Sequence, residues 1–441
     1  MAVAVHACAL GAVHLRVGGV DGYAFSSLDG KEYYAIARNL VDQGVFSQDS
    51  AAPYKPDTWR TPGYPVFLAL AMLSVGKSPG ALVAAQQLLA VINVLLFFLT
   101  TSKLLGNRWG TVASLLFLFE PYHLYYSTWL LSTTLFVTAL LASWYSWQRA
   151  VERWQAAWLM CLGASCSMLV LIRPVGALVP VVAALGVVWL TLRARGHTPN
   201  GSVQRRGKTG LVLFMITLLT PWGAWAVRNK ITAGHFALSH QSGVVLAYFK
   251  ATEVLLWKQG RSADRYLETS LDPARADYPH TVWEDIDERL RARMSHLPNG
   301  QPARLGWRNL AQGNKTTLDS FAVSEALGRI GWGYLADMPF ITAACCLARC
   351  GSILTFPLTL ALRPPAGLEA RRAAWLAMSL PYVLLSLAAL VTLIRSWPTY
   401  GIMYFPLGCT VALLLASTPQ LDPRFRVPLI PMLIFIALRP R

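Results

Sequence analysis

Long runs almost free of charge alternate along this chain with shorter polar intervals, and the runs have the length of membrane crossings. Charge-poor stretches lie at about residues 80–102, 124–148, 154–172, 174–192, 209–227, 373–394 and 396–421. Each approaches or exceeds the roughly 20 apolar residues that carry a helix across a bilayer core. Shorter apolar runs lie at 1–15, 62–76, 109–119, 338–362 (interrupted by Arg349) and 427–438. Together they predict about 11–13 crossings, some tilted or re-entrant where prolines interrupt. The first run carries His6, His14 and Arg16. No basic stretch precedes it and no small-residue cleavage site follows, so it reads as a spanning helix rather than a cleaved leader.

The expected fold is therefore an all-α integral membrane protein, a polytopic bundle with an amphipathic helix in its first extracytoplasmic loop. Three parts are expected: an N-terminal transmembrane module over 1–231 that includes the loop at 20–61, a polar extracytoplasmic region over 232–335, and C-terminal helices over 336–441. Composition agrees, since 54% hydrophobic and 14% charged residues do not suit a soluble globule with a polar coat. The formal charge of +17 has mostly a topological meaning. Residues 193–208 hold Arg193, Arg195, Arg205, Arg206 and Lys208 with no acid, and 363–372 hold Arg363, Arg371 and Arg372 against Glu369. Both read as cytoplasmic loops. This distribution removes nucleic acid as a partner and leaves some basic charge for anionic lipid or a phosphate-bearing substrate.

Metal and nucleotide chemistry find little support. All seven cysteines sit in apolar stretches and read as packed thiols, and Cys345, Cys346 and Cys350 have neither a histidine nearby nor zinc spacing. Asp285 and Asp287 imitate an Asp-x-Asp metal motif but lie within a surface-helix pattern at about 282–294. No Gly-rich phosphate loop, nucleophile elbow or His-Glu-x-x-His run occurs. No cofactor is expected, with a divalent metal as the open alternative.

Carboxylates concentrate in two places. Asp21, Asp29, Glu32, Asp42, Asp49 and Asp57 put six of the 22 acids near the N-terminus, and eleven more fall within the polar region. In the first group Tyr33, Ile36, Ala37 and Leu40 recur at helical spacing, which predicts an amphipathic helix along the membrane surface. Asp29 stands where an N-cap would, three residues before Glu32, as in a capping box. The sequence from Trp59 through Arg60, Thr61, Pro62, Gly63, Tyr64 and Pro65 then leads into an apolar run. Arg60 between aromatics is either an interfacial anchor or a guanidinium held to grip a lipid phosphate.

These motifs in order resemble the membrane glycosyltransferases of the GT-C class, especially the bacterial branch similar to protein O-mannosyltransferases and the lipid A aminoarabinose transferase. The resemblance rests on Asp29 to Leu40, Gly44, Phe46-Ser47 and Arg60 to Pro65. It continues in Pro221-Trp222, Arg228-Asn229, Gly234 and Gly243, and in Arg424 to Pro431. It implies a polyprenyl-phosphate-linked sugar as donor, a lipid, glycan or protein hydroxyl as acceptor, and inversion at the anomeric carbon. The implied site faces the extracytoplasmic side of the inner (plasma) membrane. It assigns Asp29 the role of catalytic base. Arg60, Arg228, Arg424 and Arg426 become candidates for holding the donor phosphate, with Glu32 and Tyr64 beside them. Counting spans leaves Arg424 on the cytoplasmic side, opposite Asp29, and so ranks Arg424 and Arg426 below Arg60.

The chain also departs from the family pattern. Relatives carry a Ser-Glu pair after a Pro and Tyr cluster, whereas here Pro121 to Tyr126 is followed by Leu131-Ser132-Thr133-Thr134. Glu120 either substitutes for that acid, as a costly carboxylate at membrane depth suggests, or pairs with His123 or a basic residue at an interface. Two other functions stay open: a transporter or flippase of lipid-linked saccharide, against which no internal repeat is visible, and a catalytically inactive subunit that keeps the fold.

Overall fold

A computed structural model describes the chain except for residues 18–19, 154, 198–200, 261–279, 297–319, 363–371, 396–400, 419–423, 425 and 439–441. The basic stretch 363–371, parts of the polar region and the side chains of 193–208 thus lie outside the described residues. Among the described residues the structure is helical throughout, without a strand, so the protein is the all-α, multi-pass membrane protein that hydropathy predicts.

The helices that frame the site come first in the chain. α1 spans Ala2–Val17, and α2 spans Leu28–Gln43. The predicted capping box is not what starts α2. Ser27, two residues earlier than expected, is the N-cap and accepts from the Gly30 N–H. Asp29 lies inside the first turn, where its charge faces the positive end of the helix dipole. The apolar face holds Tyr33, Ile36 and Ala37, all buried. Gly44 ends the helix at φ 68°, the left-handed conformation that closes a C-terminus, and its N–H meets the Asn39 and Leu40 carbonyls.

α3 (Gly63–Val75) packs on α2 through Tyr64, Leu68 and Met72, which are buried with Tyr33 and Ala37. α4 (Pro79–Leu105) follows, started by Ser78 and a proline in its first turn. It is one of three helices among the described residues long and apolar enough to cross a bilayer. Its inward face nevertheless carries Gln86, Asn93 and Thr100, all fully buried and seven residues apart. In an apolar bundle such groups act as interhelical hydrogen-bond partners: Gln86 donates to the Ser127 and Trp129 carbonyls, and Asn93 to Thr134.

The stretch 109–148 is divided among three helices. It forms α5 (Asn107–Leu118), the short α6 (Pro121–Ser127) and α7 (Thr133–Arg153). α8 (Ala156–Ile172) ends at Arg173-Pro174, as expected, and a 3-10 turn leads to α9 (Leu178–His197). α10 (Gly201–Ala233) runs on to the motif at Arg228-Asn229. The interior of this block is aromatic, with Phe97, Phe117, Trp144, Trp147, Phe405 and Phe435 in one cluster. Edge-on ring contacts such as Phe97–Phe117 at 5.4 Å and Trp144–Phe435 at 4.9 Å fix the packing.

Beyond residue 232 a second cluster forms from Tyr248, Trp283, Ile286, Leu290 and Leu327. It joins α11 (241–258, π-helical over Val245–Ala251), α12 (His280–Arg293) and α13 (Ser320–Asp337). α13 meets α14 (Pro339–Leu362) across a 97° bend, and the pair together has the apolarity of a broken crossing. α15 (Arg372–Arg395), α16 (Gly401–Ser417) and α17 (Ile430–Leu438) close the bundle. Helices long and apolar enough to cross a bilayer number three among the described residues, or four with the bent pair, accompanied by six shorter apolar helices. The wider sequence estimate counts these shorter helices as well; Gly63–Val75, at 13 residues, falls short of a bilayer core at 1.5 Å per residue unless the core thins locally.

Candidate functional site

Arg60 is the centre of the site. Its Nε donates to Glu32 Oε2 at 2.6 Å and its Nη2 to Asp29 Oδ1 at 2.6 Å, while the guanidinium lies 4.8 Å from the centre of the Tyr33 ring. The Gln241 amide, oriented with its oxygen toward the donors, accepts from Arg60 Nη1 at 3.1 Å and from Trp59 Nε1 at 2.8 Å. Arg424 approaches from the far end of the chain, and its Nη1 donates to Asp29 Oδ2 at 2.7 Å. Each oxygen of Asp29 therefore accepts from a different arginine. Arg424 stands on the same side as Asp29, which corrects its placement by span counting. That count assigned every apolar run one full crossing, whereas helices such as α3 are only 13 residues long.

Motif residues with no assigned chemistry hold this arrangement in place. The Asn39 side chain donates to the Ser47 and Asp49 carbonyls at 2.7 and 2.9 Å, stapling the segment 45–62 to α2. Asp57 Oδ1 accepts from the Arg60 N–H at 2.8 Å, and its backbone carbonyl accepts from Arg228 Nη1 at 2.6 Å. Arg228 also lies 4.8 Å from the Trp225 ring and 5.3 Å from the Phe46 ring. Its place is therefore under the loop, one shell away from Asp29. At Gly63 a Cβ would sit 2.9 Å from the Ile172 backbone N, so only glycine lets α3 start against the end of α8. Thr61 fixes the same junction by donating to the Ile172 carbonyl.

The charges are unequal in their effect. Burial works to raise the Asp29 carboxyl, but Arg60 and Arg424 outweigh it and hold the group well below the usual carboxylate range. Glu32, with Arg60 alone opposite it and Asp29 and Asp57 nearby, is raised by burial. Burial works against the Arg60 charge, yet Asp29, Tyr33 and Glu32 raise its pKa further. Asp29 is thus ionised and Glu32 is the more easily protonated neighbour. Asp29 stays partly open, with 28% of its side chain exposed against 9% for Arg60.

The remaining expected residues lie elsewhere. Tyr64 packs edge-on against Tyr33 at 4.9 Å, but its hydroxyl donates to Gln86 Oε1 at 2.6 Å on α4. Glu120 is fully buried, caps α6 and accepts from the His123 N–H at 2.6 Å. The His123 ring makes an edge contact with His6 at 5.6 Å, and His6 Nδ1 meets Gln87 Oε1 at 2.5 Å. Arg426 is buried and donates to the Ile353 and Tyr382 carbonyls. The structure therefore assembles Asp29, Glu32, Arg60 and Arg424, and leaves Glu120, His123 and Arg426 in a separate polar interior. Asp57 and Gln241 were not singled out from the sequence. Asp57 was visible as one of the six clustered acids, whereas Gln241 carried no local signal. Among the described residues no three His, Cys, Asp or Glu side chains converge as metal ligands.

Comparisons with known proteins bear on this arrangement. Residues 59–225 match the model of the dolichyl-phosphate-mannose-protein mannosyltransferase family. No curated protein sequence matches the chain. Among solved structures, ArnT from Cupriavidus metallidurans bound to undecaprenyl phosphate aligns at 16% identity and a TM-score of 0.41, over 98% of this chain and 76% of that one. The oligosaccharyltransferase of Archaeoglobus fulgidus aligns at 13% identity and a TM-score of 0.42, over 99% of this chain and 50% of that one. The segment from Trp59 to Trp225, which holds Arg60 and the start of α3, is thus similar to the dolichyl-phosphate-mannose-protein mannosyltransferases, the family type to which the motifs pointed.

Proposed function

We propose that the chain is a membrane glycosyltransferase that moves a sugar from a polyprenyl-phosphate donor to a hydroxyl acceptor on the extracytoplasmic face of the inner membrane, with inversion. The observation that carries this reading is the carboxylate of Asp29 held between Arg60 and Arg424. Two guanidiniums on one carboxylate form a ready anion site, and a phosphate group competes for the same forks. As the donor phosphate takes up the arginines, Asp29 loses the charges that hold its pKa down and recovers basicity. It then accepts the proton of the acceptor hydroxyl while the acceptor oxygen attacks the anomeric carbon. The bond from that carbon to the phosphate oxygen breaks, and Arg60 and Arg424 take the charge that grows on the departing lipid phosphate. The resemblance over residues 59–225, a segment that holds Arg60, supports a membrane glycosyltransferase.

The test is Asp29→Asn in membranes supplied with a labelled polyprenyl-phosphate sugar. Transfer to acceptor should fall by about 10²–10⁴-fold, the usual contribution of a general base. Transfer at the wild-type rate removes Asp29 from that role. Label that crosses the bilayer without a new glycosidic bond replaces the reading with a lipid-saccharide flippase.

A further inference from the structure

Away from Asp29, the C-terminal turn of α12 and the outer face of α13 enclose a cleft of about 360 Å³, within the range of small-ligand sites. Arg289, Arg293 and Arg329 line it, with Tyr334 and one carboxylate, Asp337. Two of the guanidiniums have partners on their own helices: Arg289 reaches Asp285 at 3.4 Å and Arg329 reaches Glu325 at 2.6 Å, both one turn back and outside the cleft lining. Exposed pairs of this kind are weak and readily exchanged. Arg293 has no carboxylate contact among the described residues. Arg289 also lies over the Tyr334 ring at 4.6 Å, which holds its fork at the cleft edge.

We infer that this cleft binds the phosphate head group of an anionic membrane lipid. Three arginine forks match the oxygens of a phosphate better than they match an uncharged or carboxylic ligand. The lipid origin follows from the surroundings. Trp332, one turn beyond Arg329, is 64% exposed, and Phe340, just past the bend, is 87% exposed. The 97° bend between α13 and α14 lies next to these aromatics, and arginines beside exposed Trp and Phe at the break of an apolar helix pair are the residue types of a head-group interface. The inference rests on these residues alone and is independent of the proposed transfer reaction.

The test uses the full-length protein in neutral detergent, with binding followed by native mass spectrometry. The probes are short-chain phosphatidic acid, the matching phosphatidylcholine and inorganic phosphate. Phosphatidic acid should bind saturably and phosphatidylcholine should not. The Arg293→Glu/Arg329→Glu variant should bind phosphatidic acid about tenfold more weakly or worse, while Arg108→Glu, a basic surface change elsewhere, should leave binding intact. Arg293→Lys/Arg329→Lys, which keeps the charge and guards against misfolding of the reversal, should retain most of it. Unchanged binding in the charge-reversed protein, or no saturable binding in the wild type, overturns the site. Inorganic phosphate binding as tightly as the lipid overturns the lipid assignment.

Discussion

Arg60 makes more contacts than its partners can replace. Removing it in Arg60→Ala leaves Asp29 and Glu32 adjacent with Arg424 as the cation that remains, so about 2 kcal/mol of stability should be lost. Activity with a lipid-phosphate sugar should fall about 10²–10³-fold, the loss typical of one preorganised donor; steady-state kinetics beside a thermal melt separates the two effects. Arg60→Lys should recover little, because an ammonium cannot fork between two carboxylates. Glu32 offers a test through pH. Its folded pKa is raised, so the folded chain binds the proton more tightly than the unfolded one. Its contribution to stability is then fully present below the ordinary glutamate value and is lost as pH rises through the raised value. Asp29 has the opposite sign, and its contribution persists until pH falls below the ordinary aspartate range. Melting temperature should therefore decline as pH rises just above the ordinary glutamate value, and Glu32→Gln should flatten that decline. A slope that survives in the variant would place the titrating group elsewhere.

At the level of elements, the site depends on how the segment 45–62 is fastened between α2 and α3. Asn39→Ala removes two hydrogen bonds from that segment and should cost about 1–2 kcal/mol. Hydrogen exchange should rise within 45–62 before it rises in α2. Gly63→Ala forces a Cβ against the Ile172 backbone and should cost about 1–3 kcal/mol while displacing Arg60, visible as a drop in activity larger than the drop in stability predicts. Much of this was legible beforehand. Tyr33, Ile36 and Ala37 announced the surface helix through their spacing, and Arg60 through Pro65 announced the start of the next one. The start of α2 was misjudged by two residues, since Ser27 and Asp29 are both good caps and the sequence alone does not say which one turns out of the helix. That Asn39 reaches Ser47 and Asp49 depends on the path of a loop, which has no periodicity to read.

At the scale of the whole molecule, a buried ion pair ties together parts of the chain that are distant in sequence. Glu253 on α11 and Arg349 on α14 form an ion pair with 6% and 4% of their side chains exposed. Glu253→Ala takes a carboxylate from a buried arginine and should destabilise by about 3–5 kcal/mol, measured as unfolding in detergent, whereas replacing both residues with apolar ones of similar volume should restore most of it. The pairing could not be foreseen, because hydropathy recorded Arg349 only as an interruption of an apolar run. The same blindness to distance placed Arg424 on the wrong side. The bond from Arg424 to Asp29 joins positions 395 residues apart, whereas Arg60 is 31 residues away. At a synthesis rate of about 5–20 residues per second, Asp29 would meet Arg60 within seconds but wait roughly 20–80 s for Arg424. The carboxylate thus acquires its second cation only when the final helices reach the membrane, so a half-made chain would carry the acid of the site without its complete anion grip.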